Sequence, residues 1–201
     1  MSYKTVKVIV CLLLGVISIT GDKLVEYNEK NHLLRAVIDN LTHGCVAGLS
    51  WAFIVLLLNE SIVKNIISIL LCASMSSFID VDHFIEAKSF HIDDAIRLDH
   101  RPFFHCTTIP IVIWSTFLLG SKILSDNELN YYAWIVFTSF LSHHIRDGTR
   151  RGLWFFPFGS TRKIPYYLYI VMTMLLPFFV YFFMNKPSKK LIQTHGAINV
   201  A

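Results

Sequence analysis

The chain is poor in charge. Asp, Glu, Lys and Arg make up 16% of its 201 residues, against roughly 25% in an ordinary soluble domain. Its apolar runs also lack Asp, Glu, His, Lys and Arg at their centres. Transporters place ionisable groups near the bilayer midplane, so this gap argues against a transport function. Cysteine is scarce as well. Cys11, Cys45, Cys72 and Cys106 form no C-x-x-C pair and lie in or against apolar runs, which excludes a thiolate zinc motif and reads as buried free thiols. There is no basic domain with interleaved aromatics; the net charge of +4 is spread over loops, so no nucleic-acid partner is expected. The sequence contains no internal repeat, low-complexity tract or second domain. Residues 1–185 read as one membrane domain, and residues 186–201 as a short polar tail, expected to be disordered.

What the chain does have is hydrophobic residues, 54% of the total. They fall in six runs: Val6–Ile19, Leu41–Leu58, Ile62–Ile79, Phe103–Leu119, Tyr131–Leu141 and Tyr166–Met184. A membrane span needs about 20 apolar residues, with about 17 as a working minimum. Four runs qualify outright. The first can extend at both ends, and the fifth spans if its helix continues through His143–Arg146. The expected fold is therefore all-α, a polytopic membrane helix bundle of about six transmembrane helices with antiparallel neighbours. Five spans follow instead if Lys4, Lys7 and the first run form a signal sequence, although Asp22 follows directly and no small-x-small cleavage site precedes it. On the six-span reading Lys and Arg do not select an orientation once the arginines of the candidate site are set aside. The segment Phe84–Asp99 alternates apolar and charged residues and is expected to lie as a short interfacial helix. Gly152–Gly159 is too rich in Gly and Pro for helix and reads as an aromatic loop at the lipid–water boundary.

Six of the nine histidines (His43, His83, His100, His105, His143 and His144) sit near the ends of these runs. In chain order they mark a beginning, an end, a beginning and an end, so antiparallel threading brings them to one side. Asp39, Asp80, Asp82 and Asp147 accompany them. Imidazoles and carboxylates converging on one rim of an apolar bundle are the usual ingredients of a divalent metal site. Asp39/His43 and His143/Asp147 are i,i+4 pairs that stack on one helix face, and Asp80 and His83 share a face three residues apart. His100 and His105 flank Pro102, with the fourth helix expected to open around them. A lone histidine at a helix end is more often a cap than a ligand, and Arg150 and Arg151 suit lipid-facing anchors equally well. Four helix ends supplying ligand-type residues to one side is a stronger pattern than any single residue. The expected ligands are Asp39, His43, Asp80, Asp82, His83, His100, His105, His143 and Asp147, around a divalent metal for which zinc is the expected ion. Arg101 and Arg146 are placed to bind an anionic substrate.

Asp80-x-Asp82-His83, His100-Arg101-x3-His105 and Ser142-His143-x3-Asp147-x-Thr149-x2-Gly152-x4-Pro157 resemble the bacterial inner-membrane metal-dependent hydrolases. In that pattern Pro102, Phe104 and Cys106 replace the usual Gly, Thr and Ser. Nearly the whole chain also resembles the eukaryotic transmembrane protein 267 family, through Arg101-Pro102-Phe103-x-His105-Cys106 and the stretch from Ser142 to Gly159. The resemblances imply a multi-pass membrane protein, and the first implies metal-assisted hydrolysis. Two functions are therefore expected: a metal-dependent hydrolase acting on a lipid or phosphoester at the bilayer surface, or a non-catalytic membrane scaffold or regulator retaining a structural metal or polar cluster.

Overall fold

A computed structural model describes residues 3–184, and the expected polar tail lies outside the described residues. Eight helices, α1 (Tyr3–Tyr27), α2 (His32–Leu57), α3 (Ile66–Phe78), α4 (Asp82–Ala87), α5 (Ile92–Ala95), α6 (Thr108–Leu124), α7 (Asn127–Arg151) and α8 (Tyr166–Phe183), form an antiparallel bundle. A two-stranded hairpin, β1 (Trp154–Phe155) and β2 (Gly159–Ser160), follows α7. The protein is an integral multi-pass membrane protein. Helices α1, α2, α8 and the continuous stretch Ile66–Ala87 are each long and apolar enough to cross a bilayer, and α6 adds a shorter apolar helix of 17 residues. Helix α7 is different. It is 25 residues long but buried along much of its length, at the centre of the bundle.

The core lies where α2, α7 and α8 meet: Trp51, Ile54, Val55, Tyr131, Trp134, Ile135, Tyr169, Leu176 and Val180 are all buried. Outward residues such as Leu12, Leu70, Leu119 and Phe182 are exposed and apolar, as a bundle solvated by lipid requires. Helices α2 and α3 approach closely because Gly44 has no side chain; a Cβ there would stand 2.5 Å from the Ser77 hydroxyl. Small residues at helix contacts are the usual way membrane helices gain van der Waals packing. All four cysteines are free. Cys72 and Cys106 are buried as expected, whereas Cys45 faces outward.

Several boundaries differ from the hydropathy reading. Helix α2 begins at His32, capped by the Asn31 side chain, so its polar first turns extend beyond the apolar run and Asp39 and His43 lie inside the helix. The fourth span does not open at His100 or Phe103. Pro102 is extended, a 3-10 turn covers Phe103–His105, and the helix starts only at Thr108. Cys106 and Thr107 are instead tied to the hairpin, with the Thr107 N–H donating to the Trp154 carbonyl at 2.7 Å. Between Phe84 and Asp99, only the end of α4 and the four-residue α5 are helical. Gly152 closes α7 with φ +73, where an added Cβ would collide with the Thr161 carbonyl. The chain can turn from α7 into the hairpin there only without a side chain.

Candidate metal centre

Four polar residues from three separate parts of the chain meet at one end of the bundle: Asp80 beyond α3, His105 in the turn before α6, and His143 and Asp147 one turn apart on α7. The Nε2 atoms of His105 and His143 face each other at 3.3 Å. Each lies 3.5 Å from Asp80 Oδ1 and 3.2 Å from Asp147 Oδ2. A tetrahedral divalent ion with nitrogen and oxygen ligands at about 2.0–2.1 Å has ligand–ligand edges of about 3.3–3.4 Å. Five edges of this group, at 3.2–3.5 Å, fall close to that length, and all four donor atoms lie within 4.8 Å of one another, so the group could hold one ion.

The hydrogen bonds around the group decide which ring nitrogens carry lone pairs. His143 Nδ1 lies 2.9 Å from the Ser76 carbonyl, which only accepts, so Nδ1 carries the proton and Nε2 presents its lone pair to the group. His105 Nδ1 lies 3.3 Å from Asp82 Oδ2. A carboxylate on the far nitrogen of a ligating imidazole fixes the ring and makes it more basic. Two facing lone pairs at 3.3 Å, between two carboxylates, need a cation between them. Burial works against a charged His105, but Asp147, Asp80 and Asp82 outweigh it and raise its pKa from 6.5 to about 11. Without a metal ion, a proton fills that role.

The 3-10 turn at Ile79–Val81 lets Asp80 and Asp82 straddle one ring, Asp80 on its Nε2 side and Asp82 on its Nδ1 side. Asp82 is buried, and its Oδ2 also accepts the Phe104 N–H at 2.6 Å. It therefore holds both the loop and the ring of His105. His83 lies 3.3 Å from Asp82 Oδ1 and 4.0 Å from Asp80, at the edge of the group. His43 is buried and stacks on His143, ring centroids 3.7 Å apart, with its Nε2 3.4 Å from Asp147 Oδ1. It touches Asp147 through the oxygen that the four-donor group does not use.

The remaining expected residues lie outside the four-donor group. Asp39 is gripped by Arg146 at 2.6 Å and by both terminal nitrogens of Arg150 at 2.6 and 2.7 Å. Arg146 is fully buried and also pairs with Asp22 on α1 at 2.9 Å. It locks α1, α2 and α7 together and does not line the cleft described below. Arg101 donates to the carbonyls of Arg151 and Gly152 and to the Ser160 hydroxyl, completing the C-terminus of α7. His100 is exposed and away from the group. Two contributors carry no sequence signal: Asn40 donates to Asp80 Oδ2 at 3.1 Å, and Asp22 pairs with Arg146. His144, one of the six histidines at the run ends, donates to the Phe104 carbonyl at 2.9 Å, since neighbouring helical positions address two different surfaces.

Asp80, His105 and Asp147 open onto a cleft of about 640 Å³, whose walls also include Arg35, Arg97, Arg101, Arg150 and Arg151 and the apolar side chains of Leu33, Val37, Leu41, Ile92 and Ile96. The arrangement can hold a divalent cation at the base of a positively charged, partly apolar cleft.

Comparison with known proteins agrees with this architecture. No family model matches the chain, and no solved structure matches it. Transmembrane protein 267 of Mus musculus is 37% identical over 174 residues, covering 85% of this chain and 80% of that protein. The Bos taurus protein of the same name is 36% identical over 181 residues, covering 88% and 82%. That of Danio rerio is 41% identical over 150 residues, covering 74% and 66%. With such identity sustained across most of both partners, the chain belongs to the transmembrane protein 267 family.

Proposed function

We propose that the protein is a metal-dependent hydrolase acting on a phosphoester at the membrane surface, with one zinc ion held by Asp80, His105, His143 and Asp147. The spacing of those four donors carries the reading: 3.2–3.5 Å along five edges, the size of a tetrahedral zinc site. A zinc ion supplies Lewis acidity and lowers the pKa of water toward roughly 7. In hydrolysis the water oxygen forms the new P–O bond, the P–O bond to the alcohol breaks, and the alcohol departs with a proton. The chain's own contributions are to fix the imidazoles through Ser76 and Asp82, to keep the far side of the site dry with buried His43 and His143, and to neutralise the phosphoryl oxygens with arginines from the cleft wall.

A second reading rests on the number of donors. Four protein ligands fill a tetrahedral shell, as structural zinc sites do, whereas catalytic sites keep a position open. On that reading the ion staples α3 and α7 to the loop before α6. The experiment that separates the two measures turnover and stability on the same samples. Purified protein is assayed for release of phosphate or alcohol from lipid and soluble phosphoesters, with zinc and after chelation. Zinc-dependent turnover that is lost in His143→Ala supports the hydrolase. Stoichiometric zinc whose removal lowers the Tm, with no turnover of any phosphoester, refutes the hydrolase and leaves the staple.

A further inference from the structure

The cleft in front of the donors pairs two features that a soluble phosphoester does not need together. The first is unpaired positive charge. Arg150 is neutralised by Asp39, but among the described residues Arg35, Arg97, Arg101 and Arg151 form no ion pair with a carboxylate. Four guanidinium groups facing one cleft repel one another and fit an anionic occupant. The second is an apolar strip. Leu33, Val37 and Leu41 recur every fourth residue on α2, are 61%, 46% and 59% exposed, and line the same cleft. They form a continuous stripe about 12 Å long at 1.5 Å per residue, and Ile92 and Ile96 of the α5 segment line the same cleft. Leu41 begins the apolar stretch of the α2 span, so the strip continues from the arginine-lined mouth onto the lipid-facing surface.

The hairpin fixes the depth of this cleft. Its tip residues Phe156 and Phe158 are 64% and 91% exposed. It is bonded to the segment carrying His105 through Thr107 N–H to the Trp154 carbonyl and Thr108 Oγ1 to the Phe156 carbonyl. Exposed aromatic side chains settle at the boundary between head groups and hydrocarbon, which places the donors at the level where lipid phosphates lie. We infer that the occupant is a phosphate-bearing lipid taken directly from the bilayer, its phosphate among the arginines that lack a carboxylate partner and the metal site, and an acyl chain along Leu33, Val37 and Leu41. This deepens the proposed hydrolase reading and rests on it for the role of the ion; the arginine–strip pairing stands on its own observations.

The full chain in phosphatidylcholine nanodiscs, titrated with a fluorescent phosphatidic acid and competed with inorganic phosphate, tests the inference. Zinc content is measured on the same preparations. Covering only about 60 Å² of the strip is worth about tenfold in affinity at ~25 cal/mol per Å², so phosphatidic acid is expected to bind at least about tenfold more tightly than inorganic phosphate. Arg151→Gln should weaken binding of both probes about tenfold, the worth of a charge-assisted hydrogen bond. Val37→Asn should weaken phosphatidic acid alone, and Lys64→Gln, in the turn between α2 and α3 and outside the cleft lining, should change neither. Equal affinity for the two probes, or wild-type lipid binding in both Arg151→Gln and Val37→Asn, overturns the inference. Stoichiometric zinc with no preference for the lipid would sink the lipid inference and spare the metal reading; selective lipid binding by protein that takes up no zinc would do the reverse.

Discussion

Substitution of Asp82 separates the residues that hold an ion from the residue that aims one of them. Asp82 Oδ2 accepts both the Phe104 N–H at 2.6 Å and the His105 Nδ1–H at 3.3 Å. In Asp82→Asn the amide oxygen can occupy the Oδ2 position and keep both bonds, so the loop should stay in place while the negative charge on the far side of the ring is lost. Loss of such a supporting carboxylate costs about 10- to 100-fold in metal affinity, and the Asn variant is expected near the lower figure. Asp82→Ala removes both bonds, leaves a buried N–H unpartnered at a cost of about 1–3 kcal/mol, and frees the ring. Its affinity should fall by about 100-fold, with a lower Tm. Chelator competition with zinc on the detergent-solubilised full chain reads both quantities. If Asp82→Asn and Asp82→Ala both bind zinc as tightly as the wild type, His105 is not aimed by Asp82 and the geometric argument fails at that joint.

Other outcomes follow from the same contacts. Arg146→Leu strands Asp22 and weakens the hold on Asp39; breaking a buried pair costs about 3–5 kcal/mol, so the Tm should drop sharply while folded protein keeps its zinc, and unchanged stability would contradict the ion-pair role. Zinc uptake must release the His105 proton below its folded pKa of about 11, so zinc affinity should rise about tenfold per pH unit between pH 6.5 and 8, and a flat profile would contradict it. In metal-stripped protein the raised His105 pKa contributes stability fully below 6.5, and this is lost as pH rises through about 11. His105→Gln should abolish that component of the Tm–pH curve. Gly152→Ala places a side chain against the Thr161 carbonyl at a positive φ and should lower stability by about 1–3 kcal/mol; a neutral result would show that the turn relaxes freely.

The helical bundle and the gathering of polar residues at one end of it were legible from the sequence, because run lengths set the spans and alternation sets their direction. That logic locates Asp80, His105, His143 and Asp147 at one end. It does not say which helix faces which. Asp39 and His43 share a face of α2 by spacing alone. The structure turns that face toward α7, where Arg146 and Arg150 meet Asp39, and His43 packs on His143 instead. The same limit hid Asp22, more than a hundred residues from its partner Arg146. Pro102 is a reasonable first-turn residue, but the pull of the hairpin on Cys106 and Thr107 delays α6 to Thr108, which leaves His100 outside and ties Arg101 to the C-terminal carbonyls of α7 while it still lines the cleft. Asp82 lies on the Nδ1 side of His105, opposite Asp80, because of a 3-10 turn invisible to hydropathy, and it groups there with His83 and His105 rather than with the four donors.

The central claim is that a cation belongs between two imidazoles and two carboxylates drawn from distant parts of the chain. Elemental analysis of the purified full chain, beside a His105→Ala/His143→Ala double variant that remains folded by circular dichroism, tests it without any choice of substrate. One equivalent of zinc in the wild type and none in the variant is the predicted result. The same metal content in both, or none in either after growth and purification with zinc, would contradict it.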